Sequence, residues 1–332
     1  MKAIVLVGLL ACGCQPHTSS SEPADVTVAK SSLARASDPS SADVAALGGS
    51  NRAFAFDLYH QIAQTSSGEN IVFSPYSLST AFAMTYAGAR NVSRDQIAAV
   101  MHFDLPQPQL HEAFNATEQA LPTLLADDQP VQLALNNALW MANGAPVEKP
   151  FLDTLALNYG AGVSLFHGDP EATRLAINAQ ISEETAMLIP ELLPEGAIDS
   201  LTRFVLTDTV YLNAKWQTPF EADEARDGTF TKLDGSSVTA TMMHTAQLCA
   251  YASGDGYQAI ALSYAGGSSL QFIAVLPDEG NFAGLEAGLD RDWFDALTAQ
   301  LSEDGVAIGL PRFDFAQHVS MKSELQALGM SD

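Results

Sequence analysis

Cysteine, positive charge and long apolar runs are all scarce in this chain. Its 332 residues include three cysteines, Cys12, Cys14 and Cys249. That is too few for a disulfide-built scaffold. No apolar run approaches the roughly 18–20 residues of a membrane-crossing helix, which argues against an integral helical membrane protein. Lysine and arginine together number 15 against 39 acids, a formal charge of −24. Phosphate backbones would repel such a chain, so nucleic acid is not an expected partner. Aromatic residues are absent until Phe54. With 47% apolar residues, the remainder can still bury a large core, and wholesale disorder is excluded.

The motifs of common enzyme chemistry are missing as well. There is no G-x-S-x-G elbow, no phosphate-binding G-x-x-x-x-G-K-[ST] loop, no H-E-x-x-H and no C-x-x-C. Seven histidines (His17, His60, His102, His111, His167, His244 and His318) are dispersed, none at a three- or four-residue ligand spacing. The acidic stretch 221–227 reads as a solvated loop. No catalytic residue, metal site or cofactor is expected.

What is present begins with an address. Lys2 precedes an apolar run over residues 4–11 and then Cys12-Gly13-Cys14. A positive start, a short apolar stretch and small residues describe an export signal. Leu9-Leu10-Ala11-Cys12 resembles a bacterial lipobox, so Cys12 or Cys14 is a candidate lipidation site. The expected location is the cell envelope, as a lipoprotein, or the extracellular space. Cys249 reads as a buried inert thiol. Residues 15–50 hold nine serines, three prolines and no aromatic residue, and read as a disordered tether that would hold a domain off a membrane. The folded domain is expected over residues 51–332.

Within that domain, helical spacing occurs early. Ser74-Pro75 is a strong helix start, since serine can cap free backbone N–H groups and proline suits the first helical position. Helices are predicted over 51–65, 75–88, 93–101, 110–125, 151–159 and 172–189. Strands are predicted over 131–141 and then, in the second half, over 204–212, 229–233, 237–243, 259–264, 270–276 and 306–315. Two further helices are predicted over 282–301, broken at Gly288, and over 320–328. Helices concentrated early and strands late point to an α+β fold.

The segment Asn70-Ile71-Val72-Phe73-Ser74-Pro75-Tyr76-Ser77-Leu78, continuing through Ala81-Phe82-Ala83-Met84 to Gly88-Ala89, resembles the opening of the second helix of serpins, the large α+β serine protease inhibitors. Other matches follow in the family's order: L-A-L-N-N-A-L-W around Asn137, Ile177-Asn178, Thr185, Leu192-Leu193, and F-V-L-T-D-T-V-Y-L-N-A-K-W from Phe204 to Trp216. Phe220, Phe230, Met242-Met243, Tyr251, Tyr264, Val275-Leu276-Pro277 and Leu310-Pro311-Arg312-Phe313 continue the series.

The resemblance implies about nine helices, a large sheet A and smaller sheets B and C. It also implies a target partner that is a serine or a cysteine protease. That protease would cleave an exposed loop, which then inserts as a strand into sheet A. Ser74, Ser77 and Asp208 fall in the family's shutter region, with Asp208 where asparagine is usual. Trp216 falls in the breach, where the inserting strand first enters; its alternative role is a core anchor. By the same resemblance the chain stops in the helix before the strand leading to the reactive loop. It therefore reads as C-terminally truncated, with no reactive-centre bond of its own. It would be a piece of a longer product, the product of a decaying gene, or a chain completed by another, with self-association through an incomplete sheet. A non-inhibitory binding module, a non-functional fragment and an exported enzyme of unseen site are the competing readings.

Overall fold

A computed structural model describes residues 2–9, 26–121, 131–144, 146–185, 187, 189–266, 270–315, 317–318 and 321–331. Local signals set most of the helices. Helix α1 (Val44–Thr65) buries Leu47, Phe54, Leu58 and Ile62 along one stripe. Helix α2 (Pro75–Gly88) starts at Ser74, whose side chain accepts a hydrogen bond from the Ser77 N–H. Ten of its fourteen residues are buried, so it has no solvent face and forms the centre of the helical layer. Helices α3 (Asn91–Val100), α4 (Gln107–Ala120) and α5 (Lys149–Tyr159) pack around it.

The first sheet holds β1 (Lys2–Leu9), β2 (Val26–Ala29), β3 (Val131–Ala142), β4 (Val163–Phe166), β5 (Thr202–Ala214) and β11 (Gln317–His318), in the order β11-β1-β5-β3-β4-β2. Strands β3 and β5 pair antiparallel over eleven residues, from Val131↔Ala214 to Met141↔Phe204. Both faces are covered. Leu139 and Leu206 join the core beneath α2, with Phe54, Leu78, Met84 and Phe114. Their sequence neighbours Trp140 and Val205 point the other way, against Ile177 and Ile181 of α6 (Pro170–Glu184). Alternation along two strands thus serves two cores.

The second sheet runs β10-β7-β8-β9, with β6 paired to β7. Its strands are β6 (Arg226–Thr231), β7 (Ser237–Gly254), β8 (Tyr257–Ser263), β9 (Gln271–Pro277) and β10 (Ser302–Pro311). Strand β7 has 18 residues; its first part pairs with β6 and its last with β8. The two smaller sheets expected are therefore continuous through one long strand among the described residues. Helices α7 (Phe282–Ala287) and α8 (Arg291–Gln300) cover one face, and α9 (Met321–Ala327) returns to α1. The predicted break at Gly288 falls between α7 and α8.

One expectation about the amino-terminal stretch changes. Residues 26–50 belong to the fold and are no part of a tether. Strand β2 pairs with β4 and forms the edge of the first sheet, and α1 begins at Val44, before the expected boundary. Composition misled here because the segment has few large apolar residues of its own, and it is held by hydrogen bonds instead. Arg35 donates to Asn115 at 2.6 Å and to Glu118 at 2.9 Å, Ser31 donates to Asp153 at 2.6 Å, and the Ser40 N–H donates to Glu112 at 2.9 Å. Residues 2–9, the apolar part of the expected leader, lie as β1, parallel to β5 and antiparallel to β11. The helix predicted over 172–189 also ends earlier, at Glu184. The Thr185 hydroxyl closes it by donating to Ile181 O at 2.7 Å and accepting from the Ile189 N–H at 3.2 Å. Cys12, Cys14 and residues 15–25 lie outside the described residues.

Candidate functional site

The shutter candidates meet where α2 touches the middle of the first sheet. Ser74 has the extended backbone of an N-cap, φ −110° and ψ 102°. Its hydroxyl donates to Ser77 Oγ at 2.9 Å while accepting from the Ser77 N–H at 3.4 Å. Pro75 follows at the first helical position and fixes the entry of the turn. Ser77 is buried directly behind it. Asp208 sits midway along β5, 2% exposed, among Thr207 and Thr209, which are equally buried. Its strand neighbour across the β3–β5 pair is Asn137.

This is a polar spot that proteins rarely leave unfilled. Among the described residues no hydrogen bond of good geometry reaches either carboxyl oxygen of Asp208, Asn137 Oδ1 or the Tyr76 hydroxyl, although the Ser77 hydroxyl lies close enough to Asp208 to favour its charged form. Burial therefore dominates the acid and pushes its pKa up to about 8, with nearby Ser77 pulling weakly the other way. Asp208 is then neutral at pH 7. Burial also raises Tyr76 well above the usual phenol range, and the charge of Glu118 adds to this. Sequence reading singled out Ser74, Ser77 and Asp208, and the fold brings these three together. It did not single out Asn137 or Tyr76 as site residues. The available signal was that Asn137 shares the strand parity of core-facing Leu139.

Trp216 lies elsewhere, beyond the end of β5. It stacks on Tyr264 with ring centroids 5.0 Å apart and meets Phe272 and Phe220 edge-on. Backbone bonds on either side, Gln217 N–H to Ser263 O at 2.9 Å and Ala265 N–H to Lys215 O at 2.8 Å, join this end of the first sheet to the second. The indole is half-buried and lines a cavity of about 270 Å³ that also touches Cys249. Burial raises the Cys249 thiol pKa, and nearby Asp304 adds to the effect. Trp216 is thus the centre of an aromatic cluster that joins the ends of the two sheets.

The far face of the sheet is clamped. Arg174 on α6 donates to both Glu171 oxygens, to Glu191 and to Leu193 O at 2.7 Å. Asn178 accepts from the Leu192 and Leu193 N–H groups and donates to Leu193 O. These contacts fix the segment between α6 and β5 across the strands. Among the described residues no group of three or more His, Cys, Asp or Glu side chains lies together to hold a metal ion. His102 meets Asp57 at 2.7 Å, and His111 shares a 2.7 Å hydrogen bond with Tyr159.

Comparison with known proteins gives the same architecture. The family model described as serpin (serine protease inhibitor) matches residues 49–332. A serpin-like protein of Methanosarcina acetivorans is 30% identical over 286 residues, covering 85% of this chain and 66% of its own length. The leukocyte elastase inhibitor of Xenopus tropicalis is 30% identical over 288 residues, covering 84% of this chain and 75% of its own. Among solved structures, the thermophilic serpin tengpin in its native state superposes with a TM-score of 0.80 at 23% identity, covering 90% of this chain and 74% of that one. The chain thus spans roughly two thirds to three quarters of these relatives. A two-faced sheet over a Ser-Pro helix, the collinear motifs and the family match over residues 49–332 agree: the chain belongs to the serpin family.

Proposed function

We propose that this protein inhibits a serine-type endopeptidase, or a cysteine protease, by strand insertion into the first sheet. The observation that carries this reading is the construction of the β3–β5 region. It is a long central strand pair over a buried helix start, with a polar, unsatisfied spot at its middle and an aromatic mouth at its end. Adding a strand to such a sheet forms a new row of backbone hydrogen bonds and buries apolar side chains. The free energy comes from that rearrangement, so the inhibitor needs no catalytic group of its own.

The product of the whole reading frame, mixed with serine and cysteine proteases, should yield a covalent complex that survives denaturant. Cleavage of the inhibitor with full protease activity retained would overturn the reading and leave a binding module.

Residues 1–14 are proposed to act as an export signal with lipid attached at Cys12 or Cys14, placing the protein in the cell envelope. The support is Lys2, the apolar run and the Leu9-Leu10-Ala11-Cys12 pattern. A lipid attached there would supply a membrane anchor. Radiolabelled palmitate should enter the wild-type protein and not a variant with both cysteines changed to serine. Equal labelling of the two would exclude lipidation there.

A further inference from the structure

We propose that Asp208 and Asn137 form a proton latch: one proton held between the carboxyl of β5 and the amide oxygen of β3 keeps the centre of the sheet closed, and its loss to solvent loosens the sheet there. The inference goes beyond protease inhibition and does not rest on it.

Three observations converge. Asp208 is 2% exposed, and among the described residues no hydrogen bond of good geometry reaches either of its oxygens. Asn137 Oδ1 is buried and equally unpartnered, and it lies directly across the antiparallel pair. Directly opposed residues in such a pair have Cβ atoms about 4.5–5.5 Å apart, close enough for short polar side chains to meet. An ionised Asp208 can draw on the Ser77 hydroxyl but offers only acceptors to Asn137 Oδ1, which stays unsatisfied. A protonated Asp208 offers the missing donor. One proton therefore satisfies both groups at once.

The surroundings supply no competing titration near neutral pH. From α2, Ser77 is uncharged, and Tyr76 holds its proton far above the range in question. Asn137 of β3 does not titrate. On the other side of β5 the register places Val7 of β1 opposite Asp208, so the latch described is that of the chain that keeps residues 2–9. Arg35 and Glu118 act on Tyr76 and are bound to each other at 2.9 Å. With the carboxyl pKa pushed up to about 8 when closed and at the ordinary 3.8 of a solvated aspartate when exposed, the sign follows. Between those values the open form releases a proton that the closed form keeps, so opening becomes easier as pH rises.

The variant Asp208→Asn replaces the removable proton by a fixed N–H donor, which locks the latch. Hydrogen exchange over residues 131–142 and 202–214 is compared between wild type and D208N at each pH, which cancels the intrinsic pH dependence of exchange. The ratio of wild-type to variant exchange should rise about tenfold per pH unit through the neutral range and level off near pH 8. A ratio that does not change with pH overturns the latch. Should D208N fail to fold, infrared spectra of wild type with 13C-labelled aspartate decide the matter. A protonated aspartic acid band present at pH 6 and lost by pH 9 supports the latch, and its absence at pH 6 overturns it.

Discussion

Single residues set the pH response of this fold, and two of them oppose each other. His111 is buried, its Nδ1 bonded to Tyr159 and its Nε2 without a partner. Burial lowers its pKa to about 4. The unfolded chain therefore binds a proton that the fold refuses, and stability from this site is lost as pH falls from about 6.5 toward 4. Asp208 has the reverse sign: its raised pKa makes stability fall as pH rises from about 4 to about 8. Each slope is on the order of 1.4 kcal/mol per pH unit, so the two nearly cancel between pH 4 and 6.5. Urea midpoints of wild type should be nearly flat there and decline from 6.5 to 8. D208N should expose the acid-side loss, and His111→Gln should leave only the decline with rising pH. Identical profiles in all three proteins would refute the assignment. Ser74 acts locally through its cap: Ser74→Ala should cost about 0.5–2 kcal/mol, read as a lower thermal midpoint. An unchanged midpoint would show that the cap contributes nothing.

At the scale of elements, the amino-terminal strap is held by a few specific contacts. Its β2 pairs with β4 over four residues, and Arg35 forms the pin into α4. The Arg35–Glu118 pair is partly buried, with side chains 27% and 17% exposed. Charge-assisted bonds of this kind are stronger than neutral ones. Arg35→Ala should raise hydrogen exchange across residues 26–36 while α2 keeps its protection, because the strap meets the α2 core only at its margin, through partly buried Ala29. Equal loss in both would mean that the strap and core unfold as one unit. Trp216 belongs to this scale as well. It joins two sheets through stacking on Tyr264, so Trp216→Ala should destabilise by about 3–5 kcal/mol if the cluster behaves as core. A loss below 1 kcal/mol would leave only a role at the mouth of the sheet.

At the scale of the molecule, charge and apolar surface work against each other. The net charge of −24 keeps copies apart at low salt. Yet Leu248 and Leu276 are each 68% exposed, and Phe230, Leu233, Val238 and Phe313 are also exposed on or near the second sheet. An apolar surface of this kind favours association once the charge is screened. Light scattering of the 332-residue chain should show oligomers that grow with concentration and with salt. A monomer under all these conditions would contradict the expectation.

Much of this was legible in the residues themselves, for a physical reason. Ser74-Pro75 announces a helix start because capping is local, and the alternation in β3 and β5 announces strands because side-chain period follows backbone geometry. The collinear motifs pointed to the family and to the place of Asp208. Long-range pairing was not legible. That Asn137 opposes Asp208, that both are dry, and that their oxygens lack hydrogen bonds of good geometry depend on a register joining strands more than sixty residues apart. Residues 26–50 read as a tether because their own apolar content is low, and only docking against α4, α5 and β4 supplied their partners. The sequence by itself determined the elements and the family, since these rest on nearest-neighbour chemistry. The tertiary structure alone decided which polar groups lost water, and so which of them carry a charge.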